Sequence, residues 1–81
     1  MKLLKLERKG CSPCMLVGNY LDSNGVEYEK VDVEDQPNIA VLYNVLSVPV
    51  TILLDDNGNV VKESKGFKPP ELDELIAQLN Q

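Results

Sequence analysis

Histidine is absent from this 81-residue chain. That removes at once the commonest metal ligand and the side chain best suited to general-base work near neutrality. Cysteine is nearly absent too, with Cys11 and Cys14 the only two. Zinc closed by cysteine and histidine could not be completed within one chain, so as a metal site the pair is only half of one. Basic residues are scarce: eight Lys and Arg stand against thirteen Asp and Glu, a formal charge of −5. A general nucleic-acid binder presents a basic footprint, so no nucleic-acid partner is expected. Long apolar runs are missing. The longest, Val50 to Leu54 with Thr51 inside it, falls far short of the roughly 20 residues that cross a bilayer, and no membrane partner is expected. Met1-Lys2-Leu3-Leu4-Lys5 alternates charge with leucine and holds no apolar h-region. No signal peptide is read there, although a mature form that had lost a leader would look the same, and the cytoplasm is the expected compartment. In that compartment a cysteine pair is more readily catalytic or metal-binding than a structural crosslink. There are no repeats, linkers or low-complexity segments. The length suits a single domain over residues 1–81, burying about 60% of its unfolded surface.

What the chain does contain is Gly10-Cys11-Ser12-Pro13-Cys14. In a helix, positions three apart share a face, so the two sulfurs can meet. Thiol–disulfide exchange needs one thiolate to attack and a second thiol within reach to release the target. A structural disulfide across so small a loop would remove little chain entropy. Dithiol exchange is therefore favoured over a crosslink, over a non-catalytic redox sensor and over a zinc-bridged dimer.

Leu3 to Leu6 reads as a strand, broken by Arg8-Lys9-Gly10. From Pro13, which suits a first helical turn, Cys14, Val17 and Leu21 recur at helical spacing, and Ser23-Asn24-Gly25 ends the helix. Val26 to Val33 alternates as a second strand, making a right-handed βαβ unit with parallel strands. Asp35-Gln36-Pro37 opens a second helix with Ile39, Leu42, Tyr43 and Leu46 as its stripe, Leu42 and Tyr43 being expected in the core. Ser47-Val48-Pro49 stops it. Val50 to Leu54 is the most β-prone run, and Asp55-Asp56-Asn57-Gly58 is a hairpin turn into the more exposed Val60 to Glu63. Gly66-Phe67-Lys68-Pro69-Pro70 reads as a loop. Leu72, Leu75, Ile76 and Leu79 give a last helix, with Glu71, Asp73 and Glu74 favouring its amino-terminal dipole. The order is β-α-β-α-β-β-α.

This order, with CxxC after the first strand and a proline heading the third, resembles the thioredoxin/glutaredoxin-like superfamily over nearly the whole chain. Lys30-Val31-Asp32-Val33-Glu34-Asp35-Gln36-Pro37, then Tyr43-Asn44-Val45 and Val48-Pro49, is similar to the middle of a thioredoxin. Gly66-Phe67-Lys68-Pro69 is similar to a loop of the small glutaredoxin-like redoxins that donate electrons to ribonucleotide reductase. The resemblance implies an α/β, thioredoxin-like fold, a central mixed sheet of four strands flanked by three helices. The chain also departs from the pattern. Thioredoxins carry tryptophan before the first cysteine and Gly-Pro between the two, where this chain has Gly10 and Ser12-Pro13. Their buried strand aspartate falls near Lys5. The Cys-Pro-Tyr-Cys and Gly-Gly of glutathione-using glutaredoxins are missing as well.

The resemblance implies a protein-disulfide reductase without metal or other cofactor, its redox group being the Cys11–Cys14 disulfide. Cys11 is the expected nucleophile, exposed at the helix amino end, where unpaired N–H groups favour a thiolate. The helix terminus is worth roughly 0.3 to 2 kcal/mol, enough to lower a thiol pKa by up to about 1.5. Arg8 or Lys9 can add to this. Cys14, shielded one turn in, is expected to resolve the mixed disulfide. Ser12, Pro13, Val48, Pro49, Gly66 and Phe67 are the expected support, with Val48-Pro49 cis and Val48 offering its backbone to an extended substrate. A monomer is expected, re-reduced by thioredoxin reductase rather than by glutathione, with disulfide-bonded proteins as substrates and ribonucleotide reductase among the candidates.

Overall fold

Two of the strands meet in parallel only because a helix carries the chain back between them, and the rest of the sheet grows from that pair. The computed structural model describes residues 1–81. Its elements are β1 (Lys2–Glu7), α1 (Ser12–Ser23), β2 (Glu29–Asp32), α2 (Pro37–Leu42), β3 (Val50–Leu54), β4 (Val60–Lys65) and α3 (Pro69–Leu79). They form one sheet in the order β2-β1-β3-β4. β1 pairs in parallel with β2 and antiparallel with β3, and β3 pairs antiparallel with β4. This is the mixed four-stranded sheet with three helices that the resemblance implies.

The central strands are buried on both faces, which is why Leu3-Leu4-Lys5-Leu6 and Val50 to Leu54 read as near-continuous apolar runs. Leu3 and Leu53 point to one face and pack with Val17 and Leu21 of α1 and Leu72 and Leu75 of α3. Leu4, Leu6, Val31, Val50, Ile52 and Leu54 point to the other face. There α2 and its flanks offer only the partly buried Val33, Ile39, Tyr43 and Val45.

Helix ends explain most differences from the sequence-based expectation. α1 ends as expected: Gly25 takes φ 66°, its N–H donates to Asp22 and the Val26 N–H donates to Leu21, a paired closure that satisfies free helix carbonyls. The chain then needs Val26 to Tyr28 to turn back, so β2 begins at Glu29 and not at Val26. α2 is shorter than its apolar stripe suggests. Asn44 adopts φ 56°, the Asn44 and Val45 amides close on Val41 and Ala40, and the helix stops at Leu42. Past that closure the helical spacing no longer sets direction. Leu42 is 68% exposed and Leu46 95% exposed, so Leu42 is not a core residue, whereas Tyr43 does pack against the sheet. Pro69 and Pro70 belong to the first turn of α3 and not to the preceding loop, since a proline N–H is not needed there. In the hairpin, Asp55 Oδ1 accepts from the Asn57 and Asn59 amides at 2.9 Å each. These donors hold its carboxyl below the usual carboxylate range.

Candidate active site

Sheet register assembles the site. Leu6 pairs with Val50 and Val50 pairs with Lys65. The residue before Val50, Pro49, and the residue after Lys65, Gly66, therefore stand at the end of the sheet from which Arg8-Lys9-Gly10 leads into Cys11. The Gly66 N–H donates to the Pro49 carbonyl at 2.9 Å and ties those two segments together. Val48-Pro49 is cis. Gly66 has φ 83°, a conformation a side chain would disfavour.

Cys11 is the N-cap of α1. Its Sγ accepts the Cys14 N–H at 3.2 Å, taking the place that a serine or aspartate oxygen has in most caps. It is also joined to Cys14 in a disulfide, with the Cα atoms 5.2 Å apart. The expectation that Cys11 is exposed needs correction, because it is 7% exposed and Cys14 3%. The cause is the cap itself, which turns the sulfur inward over the first turn. Ser12 and Pro13 are exposed beside it, and Pro49 is buried. The cap amide that now reaches the sulfur is the kind of donor that stabilises a thiolate once the disulfide is reduced.

Two further surfaces flank the pair. On one side Arg8, Val33, Glu34, Val45, Leu46, Ser47 and Val48 line a recess of about 320 Å³. On the other, the Phe67 ring meets Tyr20 of α1 edge to face, with centroids 6.1 Å apart. The Tyr20 hydroxyl donates to Asp73 Oδ1 at 2.5 Å. That bond, with burial and the Asp73 charge behind it, pushes the phenol pKa up. Phe67 is thus leaned on a ring that α3 anchors. Lys30 is an exposed charge on the edge strand.

Inspection of the sequence missed what lies under α1. Lys5 is only 5% exposed. Its ammonium lies 2.7 Å from Glu7 Oε1 and 5.8 Å from the centre of the Tyr28 ring. A Cβ on Gly18 would stand 2.8 Å from that ammonium, so the glycine is what leaves it room. Tyr28 donates to Asp22 Oδ1 at 3.0 Å. Burial first, then this bond and the Asp22 and Glu7 charges push its phenol up to about 12. The signals available were a lysine inside an apolar strand and a glycine inside a helix, each unusual in its place.

Comparison with known proteins agrees with this geometry. No protein-family model matches the chain. It is 51% identical over 79 residues to the SPbeta prophage-derived thioredoxin-like protein YosR of Bacillus subtilis, covering 98% of this chain and 99% of that protein. It is 34% identical over 67 residues to thioredoxin of Staphylococcus aureus, covering 75% of this chain but only 64% of that protein's length. Among solved structures, Fasciola hepatica thioredoxin superposes with TM-score 0.82 at 25% identity, over 94% of this chain and 77% of that one. NrdH-redoxin from Escherichia coli superposes with TM-score 0.78 at 22% identity, over 93% and 95% respectively. The last of these speaks to fold alone.

Proposed function

The chain belongs to the thioredoxin-like family of thiol–disulfide oxidoreductases, and we propose that it reduces protein disulfides as a dithiol redoxin, acting as a single domain and a monomer in the cytoplasm. Cys11 is the nucleophile and Cys14 the resolving thiol. The observation that carries this is the cap: Cys11 Sγ receives the Cys14 amide at the amino end of α1. After reduction, a thiolate at that place gains both the amide and the helix dipole, while Cys14 stays shielded. Attack on a substrate disulfide then forms a mixed disulfide on Cys11, which Cys14 displaces. Ser12 and Pro13 form the near rim, Val48 offers its backbone to an extended segment beside Pro49, and Gly66 and Phe67 supply the far rim. No metal or cofactor enters the scheme.

Thioredoxin reductase is the proposed reductant. The chain lacks the Tyr and Gly-Gly pattern of glutathione-using glutaredoxins. Ribonucleotide reductase is a candidate target on the strength of the Gly66-Phe67-Lys68-Pro69 loop. Insulin-disulfide reduction tests the core of the proposal: Cys11→Ser abolishes it, and Cys14→Ser accumulates a mixed disulfide. Full activity in Cys11→Ser would overturn it. Offering the oxidised protein NADPH with thioredoxin reductase, or glutathione with its reductase, decides the reductant. Efficient turnover by the glutathione system alone would replace that part of the scheme.

A further inference from the structure

Three segments meet at the disulfide: Arg8 to Pro13 leading into α1, Val45 to Pro49 before β3, and Lys65 to Pro70 leading into α3. Val50 pairs with both Leu6 and Lys65, which brings all three to one end of the sheet. The Gly66 N–H ties to the Pro49 carbonyl, and Phe67 leans on Tyr20 of α1. Together the segments hold Arg8, Lys9, Lys65 and Lys68 and none of the chain's thirteen acidic residues. The composition as a whole points the other way, with a formal charge of −5.

The ion pairs sharpen the contrast. Away from the disulfide, Lys2 faces Glu29, Lys5 faces Glu7 and Lys62 faces Glu74. Arg8, Lys9 and Lys68 are exposed and form no ion pair. Lys65 reaches Glu63 only at 3.7 Å, with its side chain 70% exposed, a pair of little worth in water. Carboxylates on the elements behind are engaged: Glu71 accepts from Ser64 at 2.7 Å and Asp73 from Tyr20. Glu34 lines the recess that Arg8 also lines, so the excess positive charge lies with Lys9, Lys65 and Lys68. Both α1 and α3 begin at this end, capped by Cys11 and Lys68, and their amino termini add partial positive charge.

Screening decides which charges an incoming segment feels. At about 0.15 M salt the screening length is about 8 Å, whereas the molecule measures 32 × 28 × 17 Å. Asp55 and Asp56 follow Leu54, which pairs with Lys2 at the far end of the sheet. From Val50 to Leu54 is already about 13 Å along β3. Asp22 is about 15 Å along α1 from Ser12, and Glu29 starts β2 at the far end. A segment docked at Cys11 therefore meets the local cations and is screened from the carboxylates that give the chain its sign.

We propose that the site selects acidic substrates: protein disulfides flanked by Asp or Glu, with Lys9 and Lys68 as specificity-determining residues. The inference rests on the proposed dithiol mechanism and names the substrate class it serves. The cations act on encounter, before any bond is exchanged, so they raise the rate of mixed-disulfide formation on Cys11.

The test uses three fluorescent peptide disulfides of one sequence, flanked by glutamate, glutamine or lysine, and follows mixed-disulfide formation with the reduced protein. Each rate is divided by that of the same peptide with 2-mercaptoethanol, which removes the effect of the flanks on the peptide's own reactivity. At about 0.15 M salt the glutamate peptide is expected to react on the order of tenfold faster than the lysine peptide, with glutamine between them. At about 1 M salt, where the screening length is about 3 Å, the gap closes. Lys68→Glu narrows the gap about threefold, and adding Lys9→Glu inverts the order. A changed thiolate fraction on Cys11 scales all three rates alike and leaves their ratio untouched. Lys30→Glu makes the same change of net charge on the outer strand and leaves the gap as it is. Equal normalised rates for the three peptides in wild type overturn the inference and leave the dithiol mechanism standing, and this result needs no variant to fold. Equal effects of Lys30→Glu and Lys68→Glu overturn it as well, since net charge alone would then be at work. Failure of the wild type to form a mixed disulfide with any peptide overturns the mechanism and the inference with it.

Discussion

The two faces of the sheet are built to different standards. Under α1 and α3, strand and helix residues alike are fully enclosed, and Leu3, Val17, Leu21, Leu53, Leu72 and Leu75 form one cluster. Under α2, all six enclosed residues come from the strands, and the helix side adds only partly buried ones. Val41, Leu42 and Leu46 lie exposed beyond it. The difference follows from helix length. α1 and α3 run 12 and 11 residues, against 6 for α2, too few turns to lay a stripe across the sheet. The enclosed face can therefore hold the Lys5–Glu7 ion pair beneath α1 at Gly18, where low water content strengthens electrostatics. The thin face leaves the recess beside Val48 open to an incoming segment.

The largest effect that tests this contrast is on stability. Leu21→Ala is expected to cost about 2–5 kcal/mol, as a cavity in an enclosed cluster does. Leu46→Ala is expected to stay within about 0.5 kcal/mol of wild type. Urea denaturation of the two variants checks both, and comparable losses would erase the distinction between the faces. A smaller effect is expected at Gly18. Alanine there gains about 1 kcal/mol of helix propensity but displaces the Lys5 ammonium from its place against Glu7 and Tyr28, a disruption worth about 1–3 kcal/mol. A net loss of about 1 kcal/mol is expected, measured as a lower urea midpoint, and a gain would mean that the ion pair re-forms freely elsewhere. Smallest is an alkaline effect. The Tyr28 pKa is raised from 10.0 to about 12, so folding favours the protonated phenol. Its contribution is complete below about pH 10 and is lost as pH rises through about 12. Tyr20 acts in the same direction. The urea midpoint should fall over that window in wild type and fall less in Tyr28→Phe; equal falls would remove Tyr28 from the account.

Much of this was legible in the residues. CxxC before a helical run, Val48-Pro49 before a β-prone run and Gly66 before a last helix mark the candidate site, because each is a local feature that a short window reports. The α2 end was not legible. Leu42 and Leu46 have the spacing of a buried stripe, and only the left-handed turn at Asn44 takes them out of register. The exposure expected of Cys11 was also wrong, since the helix-end argument locates the residue but says nothing of where its sulfur turns. Lys5 reads as a departure from the family pattern, and its partner Glu7 reads as nothing in particular.

The sequence by itself determined the order of elements, the chemistry of the cysteine pair and the absence of any histidine to serve it. Those follow from residue types and from spacings of a few positions. Only tertiary structure decided which face is enclosed, that the Cys11 sulfur caps its own helix, and that Lys5 and Glu7 meet under Gly18. These depend on register between strands and on how α1 lies across β1. Long-range packing sets both, and no spacing along the chain encodes them.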